Sequence, residues 1–81
     1  MKIEVFGTGC PRCDTLEQVV RVALQLLGIR ANVDKIADLD TIVRRGIDST
    51  PALVVDGELV VAGRVPDLDE VRQILSRPRG R

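Results

Sequence analysis

The chain opens with a short alternation of polar and apolar residues that is followed by a helical pattern. Residues 2–6 alternate, and a glycine-rich stretch then interrupts them, which predicts a strand and a tight loop. Between residues 11 and 27 a narrow polar stripe and a wide apolar face predict an amphipathic helix. Pro11 suits the first turn of that helix and Gly28 suits its C-terminal cap. The first two elements are therefore a strand and a helix.

A second strand and a short helix are predicted next. Apolar and polar residues alternate through residues 29–34, as in a strand. Asp38 is placed to cap a short helix that ends at Gly46. We expect its buried side chains to be Leu39, Ile42 and Val43.

The last part of the pattern predicts a hairpin and a final helix. Two runs rich in valine, residues 52–55 and 58–62, are joined by Asp56-Gly57, a pair that tolerates positive φ. Asp67 and Glu70 then have the spacing of a capping box, so a helix should follow. The order is β-α-β-α-β-β-α. A right-handed crossover makes the first two strands parallel, and a central first strand lets helices cover both faces of a four-stranded mixed sheet.

Length and charge narrow the class of protein. The 81 residues suffice for one domain, which we assign to residues 1–76, followed by a basic tail over residues 77–81. Twelve basic residues balance twelve acidic ones, which argues against nucleic acid or an anionic membrane as a partner. No apolar run approaches the roughly 20 residues of a membrane span, and no signal-peptide pattern precedes the domain. We expect a cytoplasmic monomer.

The two cysteines, Cys10 and Cys13, carry the chemistry that this sequence suggests. They stand at C-x-x-C spacing where the predicted helix begins, and unsatisfied N–H groups there favour a thiolate. We expect Cys10 to be the nucleophile and Cys13 the resolving thiol. Pro11 fixes the turn between them and Arg12 places a cation near both sulfurs, so these two residues should tune the pair.

Two other functions would use the same features. A structural zinc site needs four ligands, and this chain has no histidine and no third cysteine, so we expect neither a metal nor a cofactor. Linear binding of a soft ion such as Cu(I) by the two thiolates stays open. The alternative function is therefore a soft-metal carrier or a thiol redox sensor that uses the same two cysteines. An interaction module is the third alternative, with Val22 and Leu26 as extra apolar helix residues that more simply complete a core.

Three segments resemble a known group of redox proteins. The C-P-R-C motif, the element order and Thr50-Pro51 before a strand resemble the thioredoxin and glutaredoxin superfamily over nearly the whole chain. The segments around residues 7–13, 49–53 and 62–66 look like the small glutaredoxin-like proteins called redox-active disulfide proteins. The resemblance implies a thioredoxin-like three-layer α/β sandwich and a dithiol–disulfide oxidoreductase.

The resemblance also assigns a substrate-binding role and partners. It implies that the Thr50–Pro51 bond is cis, that Pro51 lies beside the cysteines, and that the backbone of Thr50 pairs with the substrate. Implied partners are a disulfide-containing protein or small thiol as substrate, and a reductase or low-molecular-weight thiol as electron donor. Gly9 and Arg12 stand where relatives carry aromatic residues. Glu4 lies where thioredoxins bury a proton-relaying carboxylate, but we expect it to be a solvated strand residue.

Overall fold

The fold is a three-layer α/β sandwich around one mixed sheet, as seen in a computed structural model that describes residues 1–7 and 11–76. Its sheet has four strands in the order β2-β1-β3-β4, with β1 parallel to β2 and antiparallel to β3. The predicted fold class is confirmed. The strands and helices are, in chain order, β1 Lys2–Phe6, α1 Pro11–Leu27, β2 Asn32–Ile36, α2 Leu39–Arg44, β3 Ala52–Val55, β4 Glu58–Ala62 and α3 Leu68–Ser76.

The sheet separates two apolar clusters because successive side chains of a strand point to opposite faces. On one face, Ile3 and Val5 of β1 pack with α1 and α3. On the other face, Phe6 packs with Ile42 of α2 and with side chains of β3. The central strand β1 therefore contributes to both clusters. Within the described ranges, no helix is long and apolar enough to cross a membrane.

Helix ends and the hairpin follow local sequence signals. Gly28 and Gly46 have positive φ where α1 and α2 end. Asp38 accepts a hydrogen bond from the Thr41 N–H at the start of α2, and Asp67 accepts one from the Glu70 N–H at the start of α3. Asp56 and Gly57 both have positive φ, 51° and 85°, between β3 and β4. These predicted features are all present.

The second strand begins later than the sequence pattern predicts. The Ile29 N–H still donates to the Leu24 carbonyl at 3.0 Å, which completes the end of α1. Pairing with β1 starts only at Asn32, whose N–H donates to the Met1 carbonyl. The expected strand over residues 29–34 is thus displaced toward the C-terminus, because its bounds are set by the neighbouring strand and not by its own alternation.

Four apolar side chains that the sequence pattern places in the core are exposed. In α2 only Ile42 is buried, whereas Leu39 and Val43 are 62% and 65% exposed. A helix of six residues touches the sheet along one narrow line, so its other apolar side chains face solvent. Val22 and Leu26 of α1 are likewise exposed, since they lie on the side of that helix that turns away from the sheet. They do not complete the core.

Candidate functional site

Cys13 lies in the first turn of α1 and its side chain is completely buried. The helix begins at Pro11 and packs its apolar face, which includes Leu16 and Val20, against the sheet. Because Cys13 lies one turn before Leu16, the same packing carries its sulfur inward. Cys10, the expected nucleophile, lies outside the described residues, as does the basic tail of residues 77–81.

Gly7 gives Cys13 the space that it occupies. Gly7 directly follows β1, and its N–H donates to the Ile36 carbonyl at 3.0 Å, which holds it at the end of the central strand. A Cβ built on Gly7 would lie 2.7 Å from the Cys13 Cβ and would overlap the Cys13 Sγ. The φ of Gly7 is not among the positive ones, so the need for glycine here is steric. The backbone that directly follows β1 thus packs against the Cys13 side chain.

The Thr50–Pro51 peptide bond is cis, as the family resemblance implies. Pro51 is completely buried, whereas Thr50 is exposed. The Pro51 carbonyl accepts a hydrogen bond of 2.9 Å from the Gly63 N–H. This bond joins the segment of residues 49–51, hereafter the Pro51 loop, to the segment of residues 62–64, hereafter the Gly63 loop.

Arg12 connects the cysteine-bearing helix with these loops. Its Nη2 donates to the Gly63 carbonyl at 3.3 Å, although the two residues are 51 positions apart. Gly63 also lies close to Ser49, because a Cβ added to the glycine would be 3.2 Å from the Ser49 Cβ. The first turn of α1, the Pro51 loop and the Gly63 loop are therefore assembled at one place on the molecule. The tuning role of Pro11 and Arg12 and the substrate role of Thr50 and Pro51 stay predictions.

Lys35 is a residue near the cysteine that the sequence analysis missed. It lies on β2 opposite Val5, and therefore on the face covered by α1. Its ammonium forms an ion pair with Asp14, the neighbour of Cys13, and lies 3.9 Å from Glu17 Oε1. The hydrogen bond to Asp14 raises the pKa of Lys35, with smaller contributions from Glu17 and from the charge of Cys13. A lysine at an inward position of the strand alternation was the signal available in the sequence.

Glu4 is buried, so the expectation of a solvated strand residue is wrong. Its side chain is 8% exposed and receives two hydrogen bonds from Arg45, at 3.0 and 2.8 Å. Those bonds lower the pKa of Glu4 despite the opposing effect of burial. The Arg45 guanidinium also lies 5.2 Å from the centre of the Phe6 ring. A charged residue can occupy this buried position because Arg45, 41 positions away in the sequence, pairs with it.

Glu4 and Lys35 lie on opposite faces of the sheet. Glu4 pairs with Val54 of β3 and shares its face with Phe6 and α2, while Lys35 shares its face with α1. The carboxylate is thus bound to Arg45 on the far side of the sheet from Cys13. Lys35 and its partners Asp14 and Glu17 are among the charged groups that lie on the cysteine side. Over residues 1–7 and 11–76, no group of three or more histidine, cysteine or acidic side chains could hold a metal ion.

Comparisons with known proteins agree on one family. The model of a family described as a thioredoxin domain matches residues 1–76. A thioredoxin of Methanothermobacter thermautotrophicus is 46% identical over 76 residues, which cover 94% of this chain and 99% of that protein. A thioredoxin of Methanocaldococcus jannaschii is 34% identical over 90% of this chain and 84% of its own length. A probable thioredoxin of Archaeoglobus fulgidus is 35% identical over 88% and 80% of the two chains.

Proposed function

The chain belongs to the thioredoxin family of thiol–disulfide oxidoreductases, and we propose that it reduces disulfides through its C-P-R-C motif, with Cys10 as nucleophile and Cys13 as resolving thiol. The observation that carries the proposal is the burial of Cys13 at the start of α1, against Gly7. A buried thiol one helical turn behind another is protected from solution oxidants and is close enough to attack a mixed disulfide on its neighbour.

The proposed reaction has two exchange steps. The Cys10 thiolate attacks one sulfur of the substrate disulfide, the substrate S–S bond breaks, and the first substrate thiolate leaves and takes up a proton. The Cys13 thiolate then attacks Cys10 Sγ in the mixed disulfide, so that the second substrate thiolate leaves. Two electrons have passed to the substrate, and the protein holds a Cys10–Cys13 disulfide. A reductase or a low-molecular-weight thiol then supplies two electrons and restores both thiols.

The surroundings of Cys13 support its part in the second step. The ammonium of Lys35 lies on the same face of the sheet, and its weak electrostatic attraction to Cys13 favours a thiolate there, against the opposing effect of burial. Asp14 and Glu17 hold that ammonium in place. The negative charge nearest in sequence to Cys13, that of Asp14, is compensated by the same ion pair.

The Pro51 loop supports the proposed mode of substrate binding. In this loop the exposed Thr50 precedes the buried Pro51, and the Gly63 N–H donates a hydrogen bond to the Pro51 carbonyl. Thr50 precedes β3, and its backbone would pair with an extended substrate segment as an added strand does. Substrates are then disulfide-containing proteins or small disulfides. A cytoplasmic location, a monomeric state and a basic tail at residues 77–81 belong to the same proposal and rest on the sequence.

Trapping the mixed disulfide tests the assigned roles. Cys13→Ser, incubated with a peptide disulfide, should accumulate a covalent adduct on Cys10 that is visible by mass spectrometry and released by dithiothreitol. Cys10→Ser is the matched control and should form little adduct, since its remaining thiol is buried. Equal adducts on both variants would contradict the assignment. Tight Cu(I) binding by the reduced wild type without disulfide turnover would favour the metal-carrier alternative instead.

A further inference from the structure

Arg12 is in the first turn of the cysteine-bearing helix, and its side chain reaches the loops proposed to bind substrate. Its guanidinium donates to the Gly63 carbonyl at 3.3 Å, and the Gly63 N–H in turn donates to the Pro51 carbonyl. Arg12 itself is exposed and directly precedes Cys13. A substrate segment that reaches the cysteines alongside the Pro51 loop must therefore pass next to this guanidinium.

The partner of Arg12 sets it apart from several other arginines. Arg21, Arg45 and Arg64 each donate two hydrogen bonds to a single glutamate. Across the part of the chain that the structure describes, Arg12 forms no ion pair, and the one bond found for it goes to a neutral carbonyl. A guanidinium has five N–H donors in a planar fork. Most of that fork, and its full charge, is thus available to a ligand.

Neighbouring charges on this side of the molecule are compensated. Asp14 is paired with Lys35, and Arg64 of the Gly63 loop is paired with Glu70. The exposed carboxylate near the Pro51 loop is Asp48, which lies two residues before Thr50. Among the described residues of the first turn of α1 and of the two loops, Arg12 thus offers a ligand a cation that forms no ion pair, and the exposed Asp48 offers an anion before Thr50. A charged substrate would be oriented by this pair.

We infer that Arg12 is a specificity-determining residue that binds an acidic side chain next to the disulfide of a peptide substrate. On binding, the guanidinium donates to the substrate carboxylate, and this ion pair between two charged groups is stronger than the bond to the neutral Gly63 carbonyl. This inference rests on the proposed function, because it concerns substrates reduced at the same cysteines.

Two peptides that differ by one charge test the inference. Each contains one disulfide, and the residue beside one of its cysteines is Glu in the first peptide and Lys in the second. The measured quantity is the ratio of kcat/KM for the Glu peptide to kcat/KM for the Lys peptide, with dithiothreitol as the reductant. An effect of Arg12 on the reactivity of the cysteines cancels in this ratio, whereas an effect on substrate recognition does not.

The wild type should prefer the Glu peptide, and Arg12→Gln should lower the ratio roughly fivefold, as expected for one exposed ion pair. Arg12→Glu should reverse the preference. The matched control is Arg30→Gln, which makes the same change of net charge in the loop beyond the other end of α1, about 25 Å away. The control should leave the ratio unchanged.

Two results would overturn the inference. One is an Arg12→Gln ratio equal to that of the wild type, and the other is an equal change in Arg30→Gln, which would indicate a general effect of net charge. Failure of the wild type to reduce either peptide would instead contradict the proposed function, so the two failures are distinguishable. High salt should move the wild-type ratio toward that of Arg12→Gln, because added ions screen an exposed pair.

Discussion

Gly7 and Cys13 lie so close together that no side chain fits on Gly7: a Cβ there would be 2.7 Å from the Cys13 Cβ. Gly7 directly follows the central strand, and Cys13 lies in the first turn of α1. This contact therefore places the buried thiol next to the C-terminal end of β1. The position of the thiol depends on the absence of a side chain at residue 7.

Gly7→Ala should destabilise the protein and displace Cys13. Overpacking of this kind costs about 1 to 3 kcal/mol, which urea denaturation can measure. We also expect the Cys10–Cys13 disulfide to close more slowly after an oxidant is added, which alkylation of the remaining thiols at successive times can measure.

Gly28→Ala is the control, because it also replaces a glycine but has no atoms within 4 Å of the added methyl group. Its left-handed backbone makes the control less stable as well, but disulfide closure should be normal. Normal closure in Gly7→Ala would contradict the contact.

Lys35→Met should slow the step in which Cys13 attacks the mixed disulfide. Removing the ammonium takes away a cation and leaves Asp14 uncompensated on the Cys13 side of the sheet, whereas Glu17 keeps its ion pair with Arg21. Both the lost cation and the uncompensated carboxylate disfavour a thiolate. We expect a rate roughly fivefold lower at neutral pH and a pH–rate profile displaced to higher pH. Single-turnover release of the second thiol from a preformed Cys10 mixed disulfide measures this step.

Lys35→Arg should recover most of that rate, since it keeps the charge. Lys2→Met, an exposed lysine at the other end of the neighbouring strand β1, should have the wild-type profile. A lower rate with an unchanged pH profile in Lys35→Met would mean that the lysine has a structural role only.

Stability should fall in acid through the pair formed by Glu4 and Arg45. The hydrogen bonds from Arg45 lower the pKa of Glu4 in the folded protein below its ordinary value of 4.5. A carboxyl whose pKa is lowered by folding stabilises the protein above its ordinary pKa, and this contribution is lost as the pH falls through the lowered value. Glu4→Gln should be less stable than the wild type at pH 7 and should show a flatter decline below about pH 4.5.

Urea denaturation at several pH values measures the free energy of unfolding and tests the predicted contribution of Glu4 to stability in acid. Glu70→Gln provides a comparison, because the pKa of Glu70 is also lowered by an arginine but the pair is more exposed. Its effect should be smaller, since solvent screens an exposed pair. An acid decline of equal steepness in the wild type and Glu4→Gln would refute the assignment to this carboxylate.

Asp67→Ala should destabilise α3 through the loss of its N-terminal cap. The Asp67 Oδ1 accepts a hydrogen bond of 2.8 Å from the Glu70 N–H, and such caps contribute about 1 kcal/mol. Asp69→Ala is the matched control: it removes a carboxylate from the same turn that only forms an exposed ion pair with Arg72. Thermal unfolding should show a loss below about 0.5 kcal/mol for the control. Equal losses would mean that charge near the helix end, and not the cap, is responsible.

Most of the fold could be predicted from the sequence because its signals are local. The alternation of residues 2–6, the glycine at position 28 and the Asp56-Gly57 turn each depend on backbone preferences of a few neighbouring residues. The exceptions share one cause. The start of β2 and the exposure of Val43 depend on which element lies alongside, and the pattern of one segment does not contain that information.

The candidate site was predictable only in its chemically distinctive parts. Thiols and prolines are rare enough in this chain for Cys13 and Pro51 to be recognised in sequence, whereas Lys35 is one of twelve basic residues and its role depends on the pairing of β2 with β1. The sequence predicts that Glu4 is exposed to solvent, because no local pattern indicates that Arg45 pairs with it.

The sequence by itself determined the order of the elements, their caps and the type of chemistry, because each of these depends on residues close together in the chain. Only the tertiary structure decided which polar groups from distant parts of the chain interact. Arg45 neutralises Glu4, Lys35 pairs with Asp14, and Arg12 reaches the Gly63 loop across 41, 21 and 51 positions respectively. Such partners are selected by strand order and by the face of the sheet on which each side chain lies, and both are properties of the packed molecule.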